Sequence, residues 1–253
     1  MGRRAFSRWQ AAGTHLLISL AIAAAIVTLM LLLWYPQPLF QAAGGHDLLF
    51  IMVAVDVTIG PLCTLVVFKA GKRGMKFDLV VIGVLQLLAL VYGCYIVALA
   101  RPAFIVFVKD RFELATAVDI AADELAAAKY PEFRSLPWTG PLLVAADFPA
   151  DPAERQKLVK LAMLGLDLQN FPRYFVPYAA RAKEVLARAV TVAKLRADEP
   201  VTARAVDAYL AESGRKEDEV RCLLLRTRFA WVAMLVDPKT AQPVKMLLGE
   251  KIS

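Results

Sequence analysis

The first hundred residues are dominated by three long apolar runs that short polar segments separate. The first and third runs contain no charged side chain, and the second contains one, Asp56. A membrane-spanning helix needs about 20 apolar residues. The pattern therefore predicts a bundle of three transmembrane helices, in a membrane domain of residues 1–101. The expected helices lie at about 15–35, 48–68 and 79–100.

Residues 102–253 carry the mixed pattern of a globular domain. β-type runs occur at Phe104–Val108 and in the last thirty residues, where "DPKTAQ" has the composition of a hairpin turn. Helical patterns lie between them, in "DPAERQKLVKLAMLGL" after the cap Asp151, in "PYAARAKEVLARAVTVAKL", and in a segment that ends at Gly214. This order predicts an α+β domain with a small, mostly antiparallel sheet.

Positive charge surrounds the apolar runs and predicts their orientation. Residues 1–101 hold +5 of the chain's net charge of +7. The N-terminal segment has three arginines, the loop 69–78 has four basic residues, and the loop 36–47 has none. Basic loops stay in the cytoplasm. We therefore expect a bacterial inner-membrane protein with a cytoplasmic N-terminus and a periplasmic domain 102–253.

The start of the chain, "MGRRAFSRW", has the basic character of a signal peptide. Its apolar run is longer than the roughly 7–15 residues of a signal-peptide core. The run ends in "WYP", an interfacial aromatic pair followed by a helix stop, with no clear cleavage site. An uncleaved anchor is therefore favoured over a cleaved signal.

The chain offers little equipment for catalysis or metal binding. It has two histidines, His15 and His46, which the expected topology places on opposite sides of the membrane, and His15 is interpreted as an interfacial residue. No cysteine pair has metal-ligand spacing, and nucleotide-binding or GxSxG motifs are absent. We expect no enzyme activity, no cofactor and no metal. The near-neutral outer domain also argues against nucleic acid.

The segment "VKDRFELA" gathers Asp110, Arg111 and Glu113 shortly after the third apolar run. One interpretation is a solvated strand or turn with weak surface ion pairs. The other is a docking surface beside the membrane. The first interpretation is favoured.

The segment "NFPRYFVPY" places Arg173 beside the aromatic residues Tyr174, Phe175 and Tyr178. Aromatic and arginine side chains are typical of protein interfaces, so these residues are a candidate partner surface. The same composition suits a loop that packs onto the core, and this interpretation is favoured.

Asp56 is the one acid within the apolar runs. A charged side chain at the centre of a membrane helix costs about 2.5–3.5 kcal/mol, so a partner is expected. At about 1.5 Å per residue, Asp56 lies roughly 12 Å below the outer edge, Tyr92 at a similar depth and Thr28 at about 10 Å. Gln86, at about 21 Å, matches poorly. We predict a polar site of Asp56 with Tyr92, and with Thr28 second.

Gly60 and Pro61 follow Asp56 within one to two turns. Proline lacks an amide hydrogen, so Pro61 should leave a backbone carbonyl free and kink the helix. Two roles for Asp56 stay open: a hydrogen bond that pins the bundle, and a contact with a partner's transmembrane segment.

Several motifs in the first half occur in a recognisable order. They are "HLLISL", "LWYPQPLFQAAGG", "VDVTIGPLCTLVVF", "GKRGMKFDL", "QLLALVYG" and "ARPAFIVFVKDRFELA". Together they resemble the TfpX/TfpZ family of type IV pilin accessory proteins, from about His15 to Ala115. Beyond Ala115 the chain shows little resemblance.

The resemblance implies an inner-membrane protein that binds or stabilises a cognate type IV pilin, major or minor, and promotes its assembly or surface display. The pilus assembly machinery is a further expected partner. Type IV pilins commonly carry a glutamate in their apolar helix, and a polar site near Asp56, if protonated, could form a hydrogen bond with it. Two alternatives stay open: a membrane-anchored sensor or regulator with a periplasmic ligand-binding domain, and a membrane enzyme acting on lipid or glycan.

Overall fold

A computed structural model describes residues 7–69 and 72–252, which divide into two compact units. The first unit combines the described parts of residues 1–32 and 45–99. The second combines residues 33–44 with the described chain from Ala100 onward. Arg3 and Arg4, on which part of the expected orientation depends, lie outside the described residues.

The first unit consists of three long helices, as predicted. They are Arg8–Leu33 (α1, the first long helix), Gly45–Val67 (the second long helix) and Met75–Ala100 (α5, the third long helix). All three are long and apolar enough to cross a membrane. Each begins several residues before its apolar run, since polar flanking residues continue the helix. Many apolar side chains on their surfaces are exposed, as is typical of helices surrounded by lipid.

The second long helix is not a regular α-helix throughout. It starts as Gly45–Ala54 (α3), passes through a π-helical turn at Val55–Ile59, and continues as Gly60–Val67 (α4). A π turn is a rare local widening of the helix and is frequent at functional sites. The irregularity therefore lies directly before Pro61, where the sequence predicts a disturbed helix.

The second unit is built on a mixed seven-stranded sheet, which confirms the predicted α+β class. The spatial order of its strands, numbered along the chain, is β4-β3-β1-β2-β5-β6-β7. Two of the six pairings, β1 with β3 and β2 with β5, are parallel, and the other four are antiparallel. The strands are Pro102–Val108 (β1), Arg111–Thr116 (β2), Leu142–Ala146 (β3), Phe175–Pro177 (β4), Arg221–Arg226 (β5), Ala230–Val236 (β6) and Pro243–Lys251 (β7).

The helices of this unit follow the sequence pattern with one correction. The predicted single helix in "PYAARAKEVLARAVTVAKL" is two helices, because Val190 leaves the helix and exchanges two backbone hydrogen bonds of 2.8 Å with Cys222 of β5. Thr191 then caps the second helix by accepting from the amide of Lys194. The helices are Ala122–Ala126 (α6), Pro152–Ala162 (α7), Ala182–Arg188 (α8), Val192–Asp198 (α9) and Pro200–Ser213 (α10), which ends at Gly214 with φ of +68°.

The sheet is covered on both faces. Alternate residues of β1 enter two different apolar cores, with Phe104 and Val106 in one and Ile105 and Phe107 in the other. Such two-sided burial is expected of strands with helices or loops on both faces. It explains why β1 is an almost continuous apolar run.

The connection between the first and second long helices is an integral part of this unit. It contains the short helix Leu39–Ala42 (α2), and both of these end residues are fully buried in the core that also holds Phe107. The carbonyl of Ala42 accepts from the Thr227 hydroxyl at 2.7 Å and from the Phe229 amide at 3.3 Å. The chain before the second long helix and the chain after the third therefore share one core.

Candidate functional site

The Asp56 carboxylate lies inside the bundle of the first unit. Its residue is 8% exposed and belongs to the π-helical turn of the second long helix. Its Oδ1 atom has no hydrogen-bond partner among the described residues. A buried polar atom without a partner costs about 1–3 kcal/mol. Asp56 is thus an acceptor that the bundle itself does not satisfy.

The nearest polar contact of Asp56 is made by its backbone. Gln86 Nε2 on the third long helix donates to the Asp56 carbonyl at 3.0 Å. In a π turn that carbonyl would accept from the amide five residues later, which is Pro61 and has no hydrogen to donate. The Gln86 side chain supplies the missing donor from the neighbouring helix.

Gly60 makes this contact possible. A Cβ atom built at this position would overlap the Gln86 side-chain amide. The segment Asp56–Pro61 therefore has two linked features. The Asp56 carbonyl lacks its usual amide donor, and the missing side chain of Gly60 leaves room for Gln86 to reach that carbonyl. Here Gly60 serves close packing, since its φ of −61° is helical.

The predicted partners of Asp56 need correction. Gln86, a poor match by its expected depth, reaches the Asp56 backbone, whereas Thr28 is exposed and lines neither cavity beside Asp56. Tyr92 lines a cavity with Asp56 but is 66% exposed, and Asp56 Oδ1 accepts no hydrogen bond from it. The depth estimate assumed straight helices with level outer ends. The second long helix begins at Gly45, before the assumed end, and contains a π turn.

Asp56 opens onto a cleft between the second and third long helices. We call this 430 Å³ cavity the interhelical cleft. Its lining is apolar except for Asp56 and the Tyr92 ring. A cleft with one carboxylate on an apolar wall suits an apolar helix that carries a hydrogen-bond donor. It is lined by Ile51, Val55, Asp56, Ala89, Tyr92, Gly93, Ile96 and Val97.

A second cavity, of 250 Å³, lies on the other side of Asp56 and is more polar. His15 and Ser19 of the first long helix line it together with Asp56 and Gln86. The nearby contact of His15 Nδ1 with Thr64 Oγ1, at 2.6 Å, joins the first and second long helices. His15 therefore contacts the neighbouring helix of the bundle, and its interpretation as an interfacial residue stays a prediction. Its i,i+4 spacing from Ser19 was the available signal.

The segment 110–113 of the second unit forms an ion-pair cluster along the sheet. Glu113 is 5% exposed, and its two carboxylate oxygens accept from Arg111 Nε at 2.7 Å and from Arg226 Nε at 2.9 Å. The hydrogen bond to Glu113 raises the pKa of Arg111 above its ordinary value. Asp110 is exposed at the turn after β1. Of the predicted surface residues in this segment, Asp110 and Arg111 are accessible and Glu113 is not.

The aromatic segment 171–178 is mostly part of the core. Phe175 is fully buried edge-on to Phe104, with ring centroids 5.2 Å apart. Tyr178 is also buried, and its hydroxyl donates to the Ala241 carbonyl at 2.6 Å. The prediction that Phe175 and Tyr178 belong to a partner surface is therefore wrong, because both side chains fill the space between β4 and the rest of the domain.

Two residues of the same segment remain near the surface. Arg173 pairs through two nitrogens with the Glu124 carboxylate, and Tyr174 is half-buried against Phe171. Within residues 7–69 and 72–252 no group of three or more His, Cys, Asp or Glu side chains has the arrangement of a metal site. The expectation of no cofactor stays a prediction.

Comparisons with known proteins relate the chain to fimbrial assembly proteins. A family model described as "Fimbrial assembly protein FimB" matches residues 3–44. The "Fimbrial assembly protein, serogroup I" of Dichelobacter nodosus is 35% identical over 175 residues, which are 68% of each chain. The chain belongs to the fimbrial assembly protein family. A role in fimbrial biogenesis follows at this level of description.

Two further fimbrial assembly proteins of Dichelobacter nodosus agree with this assignment. That of serogroup E1 is 34% identical over 68% of each chain, and that of serogroups C1 and C2 is 37% identical over 46% of this chain and 90% of its own. No solved structure matches. The family match at 3–44 includes Leu39 and Ala42, which enter the core of the second unit.

Proposed function

We propose that this fimbrial assembly protein is an inner-membrane accessory of type IV pilus biogenesis that binds the apolar helix of a pilin. Its task would be to stabilise that pilin and promote its assembly or display, by binding and not by catalysis. The specific resemblance to the TfpX/TfpZ accessory proteins is part of the proposal. The pilus machinery is a further proposed partner.

The observation that carries the proposal is the unsatisfied Asp56 Oδ1 atom in the interhelical cleft. Charged or polar residues within membrane helices are costly and are usually functional. Gln86 already donates to the Asp56 backbone, so the side chain remains available to an incoming donor. A partner helix with a polar residue at this depth would satisfy it while covering apolar walls such as Ile51.

The proposed topology has a cytoplasmic N-terminus and a periplasmic second unit. Its support is the charge of the loops: the loop 69–78 has four basic residues and the loop 36–47 has none, and basic loops stay in the cytoplasm. The shared core of residues 33–44 and the chain after Ala100 fits this arrangement, because three crossings place both segments on one side. A reporter that works only in the periplasm, fused after Ser253, should be active. An inactive reporter on an abundant fusion would reverse the proposed orientation.

The proposed binding site is tested by crosslinking in cells. A photoreactive residue at Ile51, on the cleft, should capture pilin, whereas one at Val66, which is exposed on the same helix outside the cleft, should not. Equal capture from both positions, or from neither, would contradict binding at the cleft.

Substitution of Asp56 tests the role of the carboxylate. Asp56→Leu should lower pilin level and piliation, and Asp56→Asn should do so less because it keeps hydrogen-bonding capacity. Asp78→Asn is the matched control. Asp78 does not line the cleft, and its carboxylate lies 2.6 Å from Lys72 Nζ. Wild-type pilin level and piliation in both Asp56 variants, at normal abundance of the protein, would refute this role.

One observation favours the alternative of a membrane-anchored sensor. The second unit has a 330 Å³ cavity that combines basic residues, Arg111 and Arg188, with the acids Asp198 and Glu199. Its charged lining suits a small polar ligand. If the sensor function is correct, Arg188→Ala should change pilus number while the Ile51 crosslink to pilin is absent.

A further inference from the structure

Trp138 is a large aromatic side chain that is mostly exposed. It is 72% exposed, although it lies in an ordered loop, "RSLPWTGP" at 134–141, between α6 and β3. Solvent exposure of a whole indole ring is unfavourable, since burying an aromatic side chain is worth about 1.5–3 kcal/mol. Something outside the chain is expected to cover it.

The loop lies against the end of the third long helix. The Cζ atom of Arg101, the residue directly after α5, is 5.2 Å from the centroid of the Trp138 ring. The Nη2 atom of the same arginine donates to the Pro137 carbonyl at 3.4 Å. Arg101 is itself buried, so its guanidinium fixes the loop at the point where the helix ends.

The loop also lies against the end of the first long helix. Arg101 Cζ is 5.8 Å from the centroid of the Trp34 ring, and Trp34 directly follows α1. A Cβ atom at Gly140 would lie 3.9 Å from the Leu33 carbonyl, the last residue of α1. Within the second unit, Leu33, Trp34, Arg101 and the loop therefore lie together at one level, with Arg101 between the two indole rings.

The depth of that level is set by the helices themselves. If α1 and α5 cross the membrane, their ends lie at the boundary between headgroups and acyl chains. Tryptophan concentrates at this boundary because its ring is amphipathic. Arg101, buried between the two indole rings, is stabilised there by cation–π contacts with both of them.

We propose that the loop 134–141 is a membrane-contact surface, with Trp138 inserted among the lipids at the periplasmic boundary. The ligand is the lipid surface and not a protein. The inference requires that the long helices span the membrane, but it does not require pilin binding. It would tie the second unit to the bilayer at a point separate from its covalent connections.

The test uses the purified full-length protein in lipid nanodiscs without pilin. The variant Trp9→Phe, Trp34→Phe, Trp231→Phe retains Trp138 as its single tryptophan, which is excited selectively at the red edge of its absorption. Its emission maximum should lie at shorter wavelength than that of a tryptophan in water, and aqueous iodide should quench it little. Lipids brominated near the headgroup should quench it more than lipids brominated near the chain ends. The matched control retains only Trp231 of β6 and should not respond to either lipid.

Emission of Trp138 that is open to iodide and equal in brominated and plain lipids would overturn the proposal. Should the triple variant not fold, the emission of Trp138 is obtained by subtracting the spectrum of Trp138→Phe from that of the wild type. The same quenchers are then compared. If Trp138 is free of lipid in nanodiscs but crosslinks to a protein in cells, the surface serves a protein partner and the proposal is wrong. Loss of pilin capture from Ile51 would not affect these results.

Discussion

The side-chain amide of Gln86 donates to the backbone carbonyl of Asp56, and this contact joins the third long helix to the π turn of the second. The carbonyl lies in an apolar bundle, where no solvent replaces a lost donor. Gln86→Leu should therefore destabilise the bundle by about 0.5–2 kcal/mol. The measurement is unfolding by SDS in mixed micelles. Leu85→Ala, at an exposed site of the same helix, should change stability less.

Gly60 and Gln86 should be energetically coupled. Gly60→Ala forces the Gln86 amide away from the Asp56 carbonyl and should cost about 1–3 kcal/mol. In a Gln86→Ala background the same change should cost much less, because the obstructing amide is gone. Gly83→Ala on the third helix has open space and is the control. Additive effects in the double variant, measured by the same unfolding assay, would exclude the coupling.

Leu39 tests whether the connection between the first two long helices belongs to the core of the second unit. Its side chain is fully buried among residues of the sheet. Leu39→Ala should lower the stability of the second unit by about 2–5 kcal/mol. Gln41→Ala, at an exposed position in the same short helix, should have little effect. Equal protease resistance of the second unit in both variants would show that the connection is not part of that core.

The buried Tyr178 should make the folded protein less stable at alkaline pH. Burial raises its pKa from 10.0 to about 12, so the folded state holds the phenol proton more tightly than the unfolded state. This contribution to stability is complete below pH 10 and is lost as the pH rises to 12. The loss amounts to about 2–3 kcal/mol.

The comparison of variants isolates that contribution. Tyr178→Phe should lower the free energy of unfolding by about 1 kcal/mol at neutral pH, because it removes the hydrogen bond to the Ala241 carbonyl. Between pH 10 and 12 it should lose less stability than the wild type does. Tyr174→Phe, half-buried, is the control. Parallel pH profiles of chemical unfolding for wild type and Tyr178→Phe would contradict the assignment.

Glu113 should be the most sensitive residue of the ion-pair cluster. Its buried carboxylate accepts from both Arg111 and Arg226, whose own side chains are partly exposed. Glu113→Ala should cost about 1–2 kcal/mol, less than a fully buried pair because solvent screens the arginines. Asp110→Asn, at an exposed ion pair of 3.7 Å, should change the free energy of unfolding by less than about 0.5 kcal/mol.

The elements that follow from a local pattern could be predicted from the sequence. The three apolar runs become long helices, and the cap Asp151 starts α7 with its side chain accepting from Ala153. Features that depend on another part of the chain could not. The helix break at Val190 exists because of β5, thirty residues later, and the burial of Leu39 exists because of strands that follow the third helix.

The candidate site shows the same division. Asp56 was identifiable as a lone acid within an apolar run, and Gly60 and Pro61 as a disturbed helix. The partner Gln86 was missed because depth was counted along ideal helices with level ends. A π turn before Pro61 and an earlier helix start at Gly45 change that count, and neither has a signature in residue spacing alone.

The burial of residues 33–44 in the second unit has a consequence for biosynthesis. The ribosome produces Leu39 and Ala42 about sixty residues before the first strand that packs on them. These residues therefore have no core to join until the second and third long helices and the following strands have been synthesised. The second unit thus cannot complete its core before residues on both sides of the second and third long helices are present, and a fragment that begins at Pro102 would lack part of that core.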